Sequence, residues 1–396
     1  MRILEVIQKF SNTPDTKSTT EIIFFISKIL ASRGHKITIF TTNHKLDKQK
    51  IQELEKNGLK FYISKIFIDI RGLILTPGII NHLSNIKQCD IIHLHNYRTF
   101  QNVIISYYAN FFKIPYIFQA EGSLSTFYQK KYSKIIFDYF FGNRMIRNAI
   151  KVIASSEQEL EELIKIGVSR DKIVIIPFGI EIQDYFDLPE KGIFKMKYNI
   201  NKNKKIILYL GRIHKMKGLE ILLLAFLDLQ KENIDSLLVI AGPDDGYLEE
   251  LSRLVKKLDL KDKIIIPGPL YGSNKLEAYR DADIFVLPSF HDDFGLTTLE
   301  SLACGTPVII TNRCGSSDVV YENGGLVIEY DKNSLVNGMI TLLSDDNLRI
   351  KYSEQGKAHV HSNYSWNSIG ILLEKCYESC LSNNQKLIGK NDSNKQ

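Results

Sequence analysis

Two cationic side chains follow a predicted strand in the stretch LYLGRIHKMKGLE, residues 208–220. Gly211 allows a tight turn at the end of that strand, and Arg212 and Lys217 then lie near the start of the next helix. The N–H groups at a helix start favour anions, and a guanidinium fork beside an ammonium group can hold a diphosphate. The stretch therefore indicates a phosphate-binding turn. The alternative interpretation is a solvated basic turn of a lysine-rich chain.

A second strand-to-helix turn lies in the stretch HDDFGLTTLESLACGTPVIITN, residues 291–312. Leucines recur at helical spacing from Leu296 onward, and a Gly-x-Pro step ends the helix before a buried strand. This pattern predicts Asp292 in the loop before a short helix and Glu300 about one turn inside it. Acids at a helix start can simply complement the helix dipole. Two turns suited to phosphate on adjacent strands nevertheless indicate a nucleotide-diphosphate ligand.

The composition is that of a globular protein with about two domains, since 44% of the 396 residues are hydrophobic and 24% are charged. The net charge of +6 is too small for a typical nucleic-acid-binding protein, so nucleic acid is not an expected partner. Five cysteines without a Cys-x-x-Cys pair fit a reducing cytosol better than a disulfide framework. The first residues, MRILEVIQKF, predict a strand and no signal peptide, and no apolar run reaches the roughly 18 residues of a membrane span.

Apolar segments alternate with amphipathic ones along almost the whole chain. A polar stretch from about Asp187 to Lys205 divides the pattern into two blocks and predicts a linker. Near-continuous apolar strands separated by helices are typical of parallel sheets covered on both faces. The sequence therefore predicts an α/β fold with two doubly wound, Rossmann-like domains facing a cleft, and ligands at the carboxyl ends of the strands. The predicted strands are ILEVI, KITIFTT, LKFYIS, DIIHLH, PYIFQA, KVIASS and KIVIIPF in the first block, and KIILYLG, LLVIAG, KIIIPG, DIFVLPS, PVIITN and GLVIE in the second.

Three motifs of the second block occur together in one known family. They are G-R-x-x-x-x-K-G at residues 211–218, an acid-x-F-G-L-x-x-L-E run at residues 292–300, and A-C-G-x-P-V at residues 303–308. Together they resemble the retaining glycosyltransferases of family 4, which have the GT-B fold. Shorter matches, such as DIIHLHN and VIASSEQEL, extend the resemblance over about residues 1–380.

The resemblance implies how a nucleotide-sugar donor would be bound. Arg212 and Lys217 would hold its phosphates and neutralise the departing nucleotide. The backbone N–H groups of Leu296 and Thr297 would bind the phosphate next to the sugar. No metal ion and no cofactor besides the donor substrate are implied, because the cations and the helix dipole stabilise the leaving group. The glycines of the donor site are Gly211 and Gly295.

The same resemblance assigns the acidic and the acceptor-side residues. Asp292 occupies the place of an acid that contacts the donor sugar, and Glu300 would bind the ribose hydroxyls. His95 and Asn96 would lie on the acceptor side. Retention of the anomeric configuration would follow from attack on the front face of the sugar.

The chain departs from the family pattern at three places. Asp292 replaces a glutamate and is one methylene shorter. The segment STTE, residues 18–21, stands where the family has a glycine-rich loop, so its backbone is expected to approach the ligand less closely. Glu121 replaces a histidine beside the donor sugar, and we expect its carboxylate to accept a hydrogen bond from a sugar hydroxyl. The alternative is that Glu121 points to solvent.

Other residues that could bind a metal have structural interpretations. Asp281 and Asp283 form a D-x-D pattern that leads directly into a strand, which does not favour a metal role. His93 and His95 alternate on one strand without a third ligand at a convincing spacing. We expect His95 to line the cleft and His93 to pack in the core. The remaining histidines and cysteines of interest, expected to be structural, are His359, His361, Cys376 and Cys380.

Aromatic and basic residues interleave in FYQKKYSKIIFDYFFGNRMIRNAIK, residues 127–151. Such a helix could lie on an anionic membrane surface, which would suit a lipid-linked acceptor. Alternatively, it is an ordinary helix whose aromatic side chains face the core. The sequence leaves both interpretations open.

The predicted architecture has an acceptor-binding domain over residues 1–187, a donor-binding domain over 200–363, a helix over 364–382 that returns to the first domain, and a disordered tail over 383–396. The predicted activity is transfer of a sugar from a nucleotide-diphosphate sugar to a glycan or lipid-linked acceptor. The expected location is the cytoplasm, with or without contact to the inner face of the membrane. Two alternatives are a nucleotide-sugar epimerase of GT-B fold and a non-catalytic relative that binds nucleotide sugars.

Overall fold

A computed structural model describes residues 1–13, 17–70, 73–124 and 131–393 of the chain. The chain divides into two compact units. Unit 1 comprises Met1–Phe178 and the chain from Trp366 onward, whereas unit 2 comprises Gly179–Ser365. The segment after Phe178 belongs to unit 2 and not, as a boundary at residue 187 implies, to the first domain. One contact that joins this segment to the rest of unit 2 is the hydrogen bond from Ile180 N to Tyr364 O at 2.9 Å.

Unit 1 contains a parallel sheet covered by helices. Its strands are β1 (Arg2–Val6), β2 (Lys36–Thr42), β3 (Lys60–Ser64), β4 (Ile68–Ile70), β5 (Leu73–Leu75), β6 (Ile91–His95), β7 (Tyr116–Gln119), β8 (Lys151–Ala154) and β9 (Ile173–Ile175). Seven of them pair in the order β3-β2-β1-β6-β7-β8-β9, and β4 and β5 form an antiparallel pair that the sequence pattern did not predict. The helices are α1 (Lys17–Ser32), α2 (Lys48–Lys56), α3 (Leu83–Ile86), α4 (Phe100–Phe111), α5 (Lys131–Phe137), α6 (Asn143–Asn148) and α7 (Glu157–Lys165).

Unit 2 repeats this arrangement with six parallel strands. They are β10 (Lys205–Leu210), β11 (Ser236–Ala241), β12 (Ile264–Gly268), β13 (Ile284–Leu287), β14 (Val308–Thr311) and β15 (Gly325–Ile328), and they pair in the order β12-β11-β10-β13-β14-β15. The helices are α8 (Ile193–Lys197), α9 (Leu219–Leu229), α10 (Leu248–Lys257), α11 (Gly272–Asp281), α12 (Leu296–Ala303), α13 (Ser317–Val320), α14 (Lys332–Ser344) and α15 (Asp346–Asn363).

Several strands in the interior of both sheets are buried along their whole length. All residues of β6, β11 and β13 are buried, although β6 carries two histidines. Continuous burial is expected where helices cover both faces of a parallel sheet. The predicted class, two Rossmann-like domains with parallel sheets, is confirmed, and the thirteen predicted strands correspond to the members of the two sheets.

The polar stretch predicted as a linker is instead part of unit 2. It contains α8, in which Phe194 is buried, and Ile200 is buried just after it. Asp281 fixes the start of this helix by accepting hydrogen bonds from Gly192 N at 2.5 Å and Lys195 N at 2.9 Å. The sequence did not indicate this attachment, because the segment is mostly polar and Phe194 and Ile200 are two of only a few apolar residues within it.

The last helix, α16 (Trp366–Ser393), belongs to unit 1. It packs against α1, where the ring of Trp366 stacks on Phe25 with centroids 5.5 Å apart. Glu374 accepts a hydrogen bond from His35 Nε2 at 2.8 Å and pairs with Arg33. The helix continues beyond residue 382, where a disordered tail was expected, and residues 394–396 lie outside the described part of the chain. Among the described residues, no helix is both long and apolar enough to span a membrane.

Candidate functional site

The turn after β10 depends on a close backbone contact between two glycines. Gly211 N donates to Ala241 O at 3.0 Å, which continues the pairing with β11. Gly242 has a φ of 155°, and a Cβ atom there would overlap the carbonyl oxygen of Gly211. A side chain at Gly242 would therefore force these two strand ends apart, whereas a Cβ atom at Gly211 would meet the Tyr209 hydroxyl at 2.9 Å.

Lys217 and Asp292 meet beyond the carboxyl ends of β10 and β13. Lys217 ends a short turn of 3-10 helix, which Gly218 leaves in the left-handed conformation with a φ of 67°. Lys217 Nζ lies 2.5 Å from Asp292 Oδ2, and the two side chains are 14% and 12% exposed. At this degree of burial the two charges are screened less than surface charges are. The predicted phosphate-binding lysine and the predicted sugar-contacting acid therefore share one place.

Arg212 has a different partner. Its guanidinium lies 2.6 Å from Asp245 Oδ2, and both side chains are about half exposed. Tyr209 fixes the backbone at this point by donating its hydroxyl hydrogen to Arg212 O at 2.8 Å. The two cations of the predicted phosphate clamp thus contact two different acids: Arg212 contacts Asp245, and Lys217 contacts Asp292. A phosphate group that binds Arg212 has to compete with Asp245.

The backbone of Asp292 is tied to the loop after β14. Asp292 N donates to Arg313 O at 3.2 Å, and Gly315 N donates to Asp292 O at 2.9 Å. These two bonds fix the backbone of Asp292 beside the loop after β14, independently of the contact between its carboxylate and Lys217.

A left-handed glycine starts α12. Gly295 has a φ of 75°, and a Cβ atom there would meet the side chain of Leu287 at 2.9 Å. The helix begins with Leu296 and Thr297, and the first N–H groups of an α-helix have no partner within the helix. The turn therefore has the backbone geometry of a helix-start anion site.

Glu300 lies on α12 and contacts two residues of α11. Its carboxylate lies 2.7 Å from Lys275 Nζ and accepts a hydrogen bond from the Tyr279 hydroxyl at 3.1 Å. Burial of Tyr279, together with the charge of Glu300, raises the pKa of Tyr279, so this hydroxyl remains a donor. Lys275 and Tyr279 were not predicted, because nothing in the sequence connects α11 with the acidic motif.

In unit 1, His95 lies between two carboxylates. It contacts Glu5 Oε2 through Nε2 at 2.6 Å and Glu121 Oε1 through Nδ1 at 2.7 Å. Since carboxylates only accept hydrogen bonds, both ring nitrogens carry hydrogen. Burial alone would lower the pKa of His95, but the charges and hydrogen bonds of Glu121 and Glu5 raise it to about 9. The ring is fully buried, so His95 is not exposed as its expected place along the cleft requires, and its contacts are with Glu5 and Glu121.

Glu121 is held in place from several sides. Its side chain is 2% exposed, which contradicts the alternative that it points to solvent. Asn96 donates from Nδ2 to Glu121 Oε2 at 3.0 Å. Both residues are left-handed, with φ of 63° for Asn96 and 52° for Glu121, a conformation that costs energy in residues other than glycine. Buried Glu159 accepts a bond from Gly122 N at 3.2 Å, so α7 fixes the same loop.

His93 connects this network to the last helix. Its Nδ1 lies 2.8 Å from the hydroxyl of Tyr377, which donates to Glu5 Oε1 at 3.3 Å. Burial and the positive charge of His95 lower the pKa of His93, so it is neutral beside a charged neighbour. Its predicted place in the core agrees with its complete burial.

Glu5, His93 and His95 offer three ligand atoms within 4.8 Å of one another. Glu5 is the third possible metal ligand that the sequence spacing did not reveal. An ion bound by His95 would have to replace the hydrogen that this residue shares with Glu5. Because the two carboxylates raise the pKa of His95 to about 9, they favour the proton at neutral pH, and we assign a hydrogen-bond network here.

Other singled-out residues have structural contacts. The segment at residues 18–21 lies in the first turns of α1, where Thr20 Oγ1 donates to Ser11 O at 2.9 Å. Asp283 accepts a bond from Ile206 N at 2.8 Å, so the second acid of the D-x-D pattern caps a strand start. His361 contacts Ala303 O at 3.4 Å. Cys376 and Cys380 are buried free cysteines.

Two family models match the chain. The model described as Glycosyltransferase Family 4 matches residues 23–184, and the model described as Glycosyl transferases group 1 matches residues 190–359. Together they cover most of both units.

Curated relatives are similar over part of their length. An uncharacterized glycosyltransferase of Methanocaldococcus jannaschii is 30% identical over 237 residues, which are 58% of this chain and 60% of that protein. A D-inositol 3-phosphate glycosyltransferase of Corynebacterium jeikeium is 29% identical over 59% of this chain and 58% of that protein. The matched part thus spans about three fifths of these relatives. A second uncharacterized glycosyltransferase of M. jannaschii is 26% identical over 91% of this chain and 94% of that protein.

Solved structures share the fold over almost the whole chain. The structure of Anabaena HepE in complex with UDP has a TM-score of 0.77 at 16% identity, covering 96% of this chain and 100% of that one. A glycosyltransferase from Rickettsia africae has a TM-score of 0.76 at 22% identity, covering 96% and 99%. At these identities the similarity establishes the fold.

Proposed function

The chain belongs to glycosyltransferase family 4 with the GT-B fold, and we propose that it transfers a sugar from a nucleotide-diphosphate sugar to a glycan or lipid-linked acceptor, with retention and without a metal ion. The observation that carries this proposal is the contact of Lys217 with Asp292 beside the start of α12. In this contact a cation that would bind a diphosphate and an acid that would accept hydrogen bonds from sugar hydroxyls lie within one hydrogen bond of each other. Unit 2 would thus bind the donor.

The proposed chemistry is stabilisation of the leaving group. As the bond between sugar and diphosphate breaks, negative charge develops on the departing phosphate. Lys217, the N–H groups at the start of α12 and, after release from Asp245, Arg212 would neutralise it. Glu300, with Tyr279 beside it, would accept hydrogen bonds from the ribose. Structures of Anabaena HepE with UDP and with UDP-glucose support a uridine nucleotide as the first donor to test.

A panel of nucleotide sugars tests the proposal. We expect release of the nucleoside diphosphate from one donor, and faster release when a glycan or lipid-linked acceptor is added. Formation of an epimer without transfer would indicate the epimerase alternative. Binding of a donor without any release would indicate a non-catalytic relative, and Lys217→Ala is the negative control for turnover.

We further propose that unit 1 contacts an anionic membrane surface near a lipid-linked acceptor. Several large apolar side chains are exposed on α5 and on the π-helical turn Asp138–Gly142 that follows it: Ile136 by 59%, Tyr139 by 78% and Phe140 by 64%. The core takes up only part of this apolar surface, through Phe137. Cations of the same segment are Lys134, Arg144 and Arg147, and its acid Asp138 pairs with Arg98 at 2.8 Å. The first part of the predicted stretch, residues 125–130, lies outside the described residues.

Flotation with vesicles tests the membrane proposal. We expect binding to vesicles that contain phosphatidylglycerol, weakened by salt, and weaker binding to phosphatidylcholine alone. The double variant Tyr139→Ser, Phe140→Ser should lose most of this binding. The control is Met196→Ser, which removes an apolar side chain that is 75% exposed in unit 2. Equal binding of both variants would exclude this surface.

A further inference from the structure

The guanidinium of Arg313 lies against two aromatic rings at the carboxyl edge of the sheet in unit 2. Its Cζ atom is 4.6 Å from the ring centre of Phe290 and 5.0 Å from that of Tyr330. The two rings are 5.3 Å apart and nearly perpendicular. Phe290, Arg313 and Tyr330 follow β13, β14 and β15, which end at the same edge because they are parallel. Three neighbouring strands thus each contribute one member of this cluster.

The nearby acids are engaged elsewhere. Glu329 accepts a hydrogen bond from Asn312 Nδ2 at 2.8 Å, Asp293 contacts His291 at 3.2 Å, and Asp331 caps α14. Among the described residues, Arg313 forms no ion pair within 4.0 Å and its side chain makes no hydrogen bond. Its charge is held in position by the rings, and its N–H groups are available to a ligand.

Hydrogen bonds and packing join the cluster to the two loops that carry Lys217 and Asp292. Arg313 O accepts the bond from Asp292 N at 3.2 Å, and Phe290 N donates to Met216 O at 2.9 Å. Tyr330 packs so closely on Gly218 that a Cβ atom there would lie 3.3 Å from its ring. The cluster is therefore fixed beside the proposed donor site.

A guanidinium stacked on rings keeps its in-plane N–H fork free, and this fork matches the geometry of carboxylate and phosphate groups. The geometry points to Arg313 as the binding site for an anionic group of the substrate. This inference rests on the proposed function and adds a substrate class to it. The anion is either a carboxylate on the donor sugar or a phosphate on the acceptor.

The test compares matched neutral and anionic substrates. For the donor, UDP-glucose is compared with UDP-glucuronate; for the acceptor, glucose is compared with glucose 6-phosphate in the presence of UDP. Arg313→Gln should lower kcat/KM or affinity roughly tenfold for the anionic member of one pair, because a charge-assisted bond is lost, and leave the neutral member nearly unchanged. Arg313→Lys should recover only part of the loss. The pair that responds identifies the source of the anion.

Equilibrium binding of the same four probes separates this proposal from the proposed function. Absence of turnover with every donor would reject glycosyl transfer, while the binding measurements still decide on Arg313. The control is Arg253→Gln, which removes an exposed arginine that pairs with Glu249 on α10. The proposal is overturned if the wild-type protein does not prefer the anionic member of either pair. It is also overturned if Arg313→Gln weakens neutral and anionic probes equally.

Discussion

Lys217 Nζ lies 2.5 Å from Asp292 Oδ2, although the two residues are 75 positions apart in the chain. One of them is assigned to the phosphate and the other to the sugar of the same donor. If both bind the donor as proposed, donor binding would exchange a contact within the protein for contacts with the ligand. This exchange distinguishes Lys217 from Arg212, whose partner Asp245 lies near the surface.

Lys217→Ala should abolish transfer, with a loss on the order of 3 kcal/mol of transition-state stabilisation. It should also lower the free energy of unfolding of unit 2, because Asp292 is left partly buried without its cation. Arg212→Ala should also abolish transfer but leave stability unchanged. Kinetics and thermal unfolding of both variants check this, with Lys215→Ala in the same turn as the control. Normal turnover in a folded Lys217→Ala variant would exclude its phosphate role.

Glu300→Gln should weaken nucleotide binding roughly tenfold, because an amide replaces an ionised acceptor. The wild-type protein should bind UDP more tightly than 2′-deoxy-UDP, and the variant should bind both equally. Calorimetric titration measures the four affinities, with Glu249→Gln on α10 as the control. A variant that still distinguishes the two nucleotides would show that Glu300 does not bind the ribose.

The pH dependence of stability should reveal the His95 network. The pKa of His95 is raised from 6.5 to about 9, so its contribution is fully present below pH 6.5 and is lost as the pH rises through 9. The unfolding free energy of unit 1 should therefore fall between these values, and less steeply in Glu121→Gln. Trp366, the single tryptophan of the chain, packs in unit 1 and provides the fluorescence signal. A flat profile in the wild-type protein would contradict the assignment.

Glu121 should influence the choice of donor sugar. Glu121→Gln is expected to weaken activity and change the ranking of donors. The reason is that an amide NH₂ group, which donates hydrogen bonds, replaces a carboxylate oxygen that accepts them. Glu121→His should move the preference toward donors used by relatives with histidine, and histidine tolerates the left-handed backbone at this position. The measurement is the rate of transfer from each donor of a panel, for the wild-type protein and both variants. An unchanged ranking of donors in both variants would exclude a role of Glu121 in specificity.

Transfer should continue at full rate in EDTA, because in the proposed mechanism Lys217 and the start of α12 would take the place of a metal at the leaving group. The measurement compares initial rates with EDTA and with added Mg²⁺ or Mn²⁺. Strict dependence on a divalent ion would contradict the mechanism.

The sequence predicts the sheets well for a physical reason. Parallel strands covered on both faces need apolar side chains at nearly every position, so their pattern is local and continuous. The glycine turns and the motif at Asp292 are also local, and their elements could be predicted from spacing alone. The prediction of a linker at about Asp187 to Lys205 was wrong. A few buried side chains, such as Phe194, attach this otherwise polar segment to unit 2.

The polar networks could not be predicted in the same way. Glu5, His95, Glu121 and Tyr377 come from four separate parts of the chain, and their meaning depends on contacts between β1, β6, the loop after β7 and α16. The local signal was the presence of a charged residue, Glu5, inside an apolar strand. Nothing in the sequence indicated the proposed role of Arg313, because that role depends on the rings of Phe290 and Tyr330, which follow two other strands.

The hydrogen bond from Tyr377 to Glu5 joins two residues of unit 1 that are 372 positions apart in the chain. All of unit 2 lies between them in the sequence. Unit 2 is continuous in sequence, so during synthesis it can close its core while unit 1 still lacks its last helix. Domains usually complete folding in the order in which they leave the ribosome. Here the first unit to begin is the last to finish, and a chain that stops before Trp366 leaves the Glu5 carboxylate without its tyrosine.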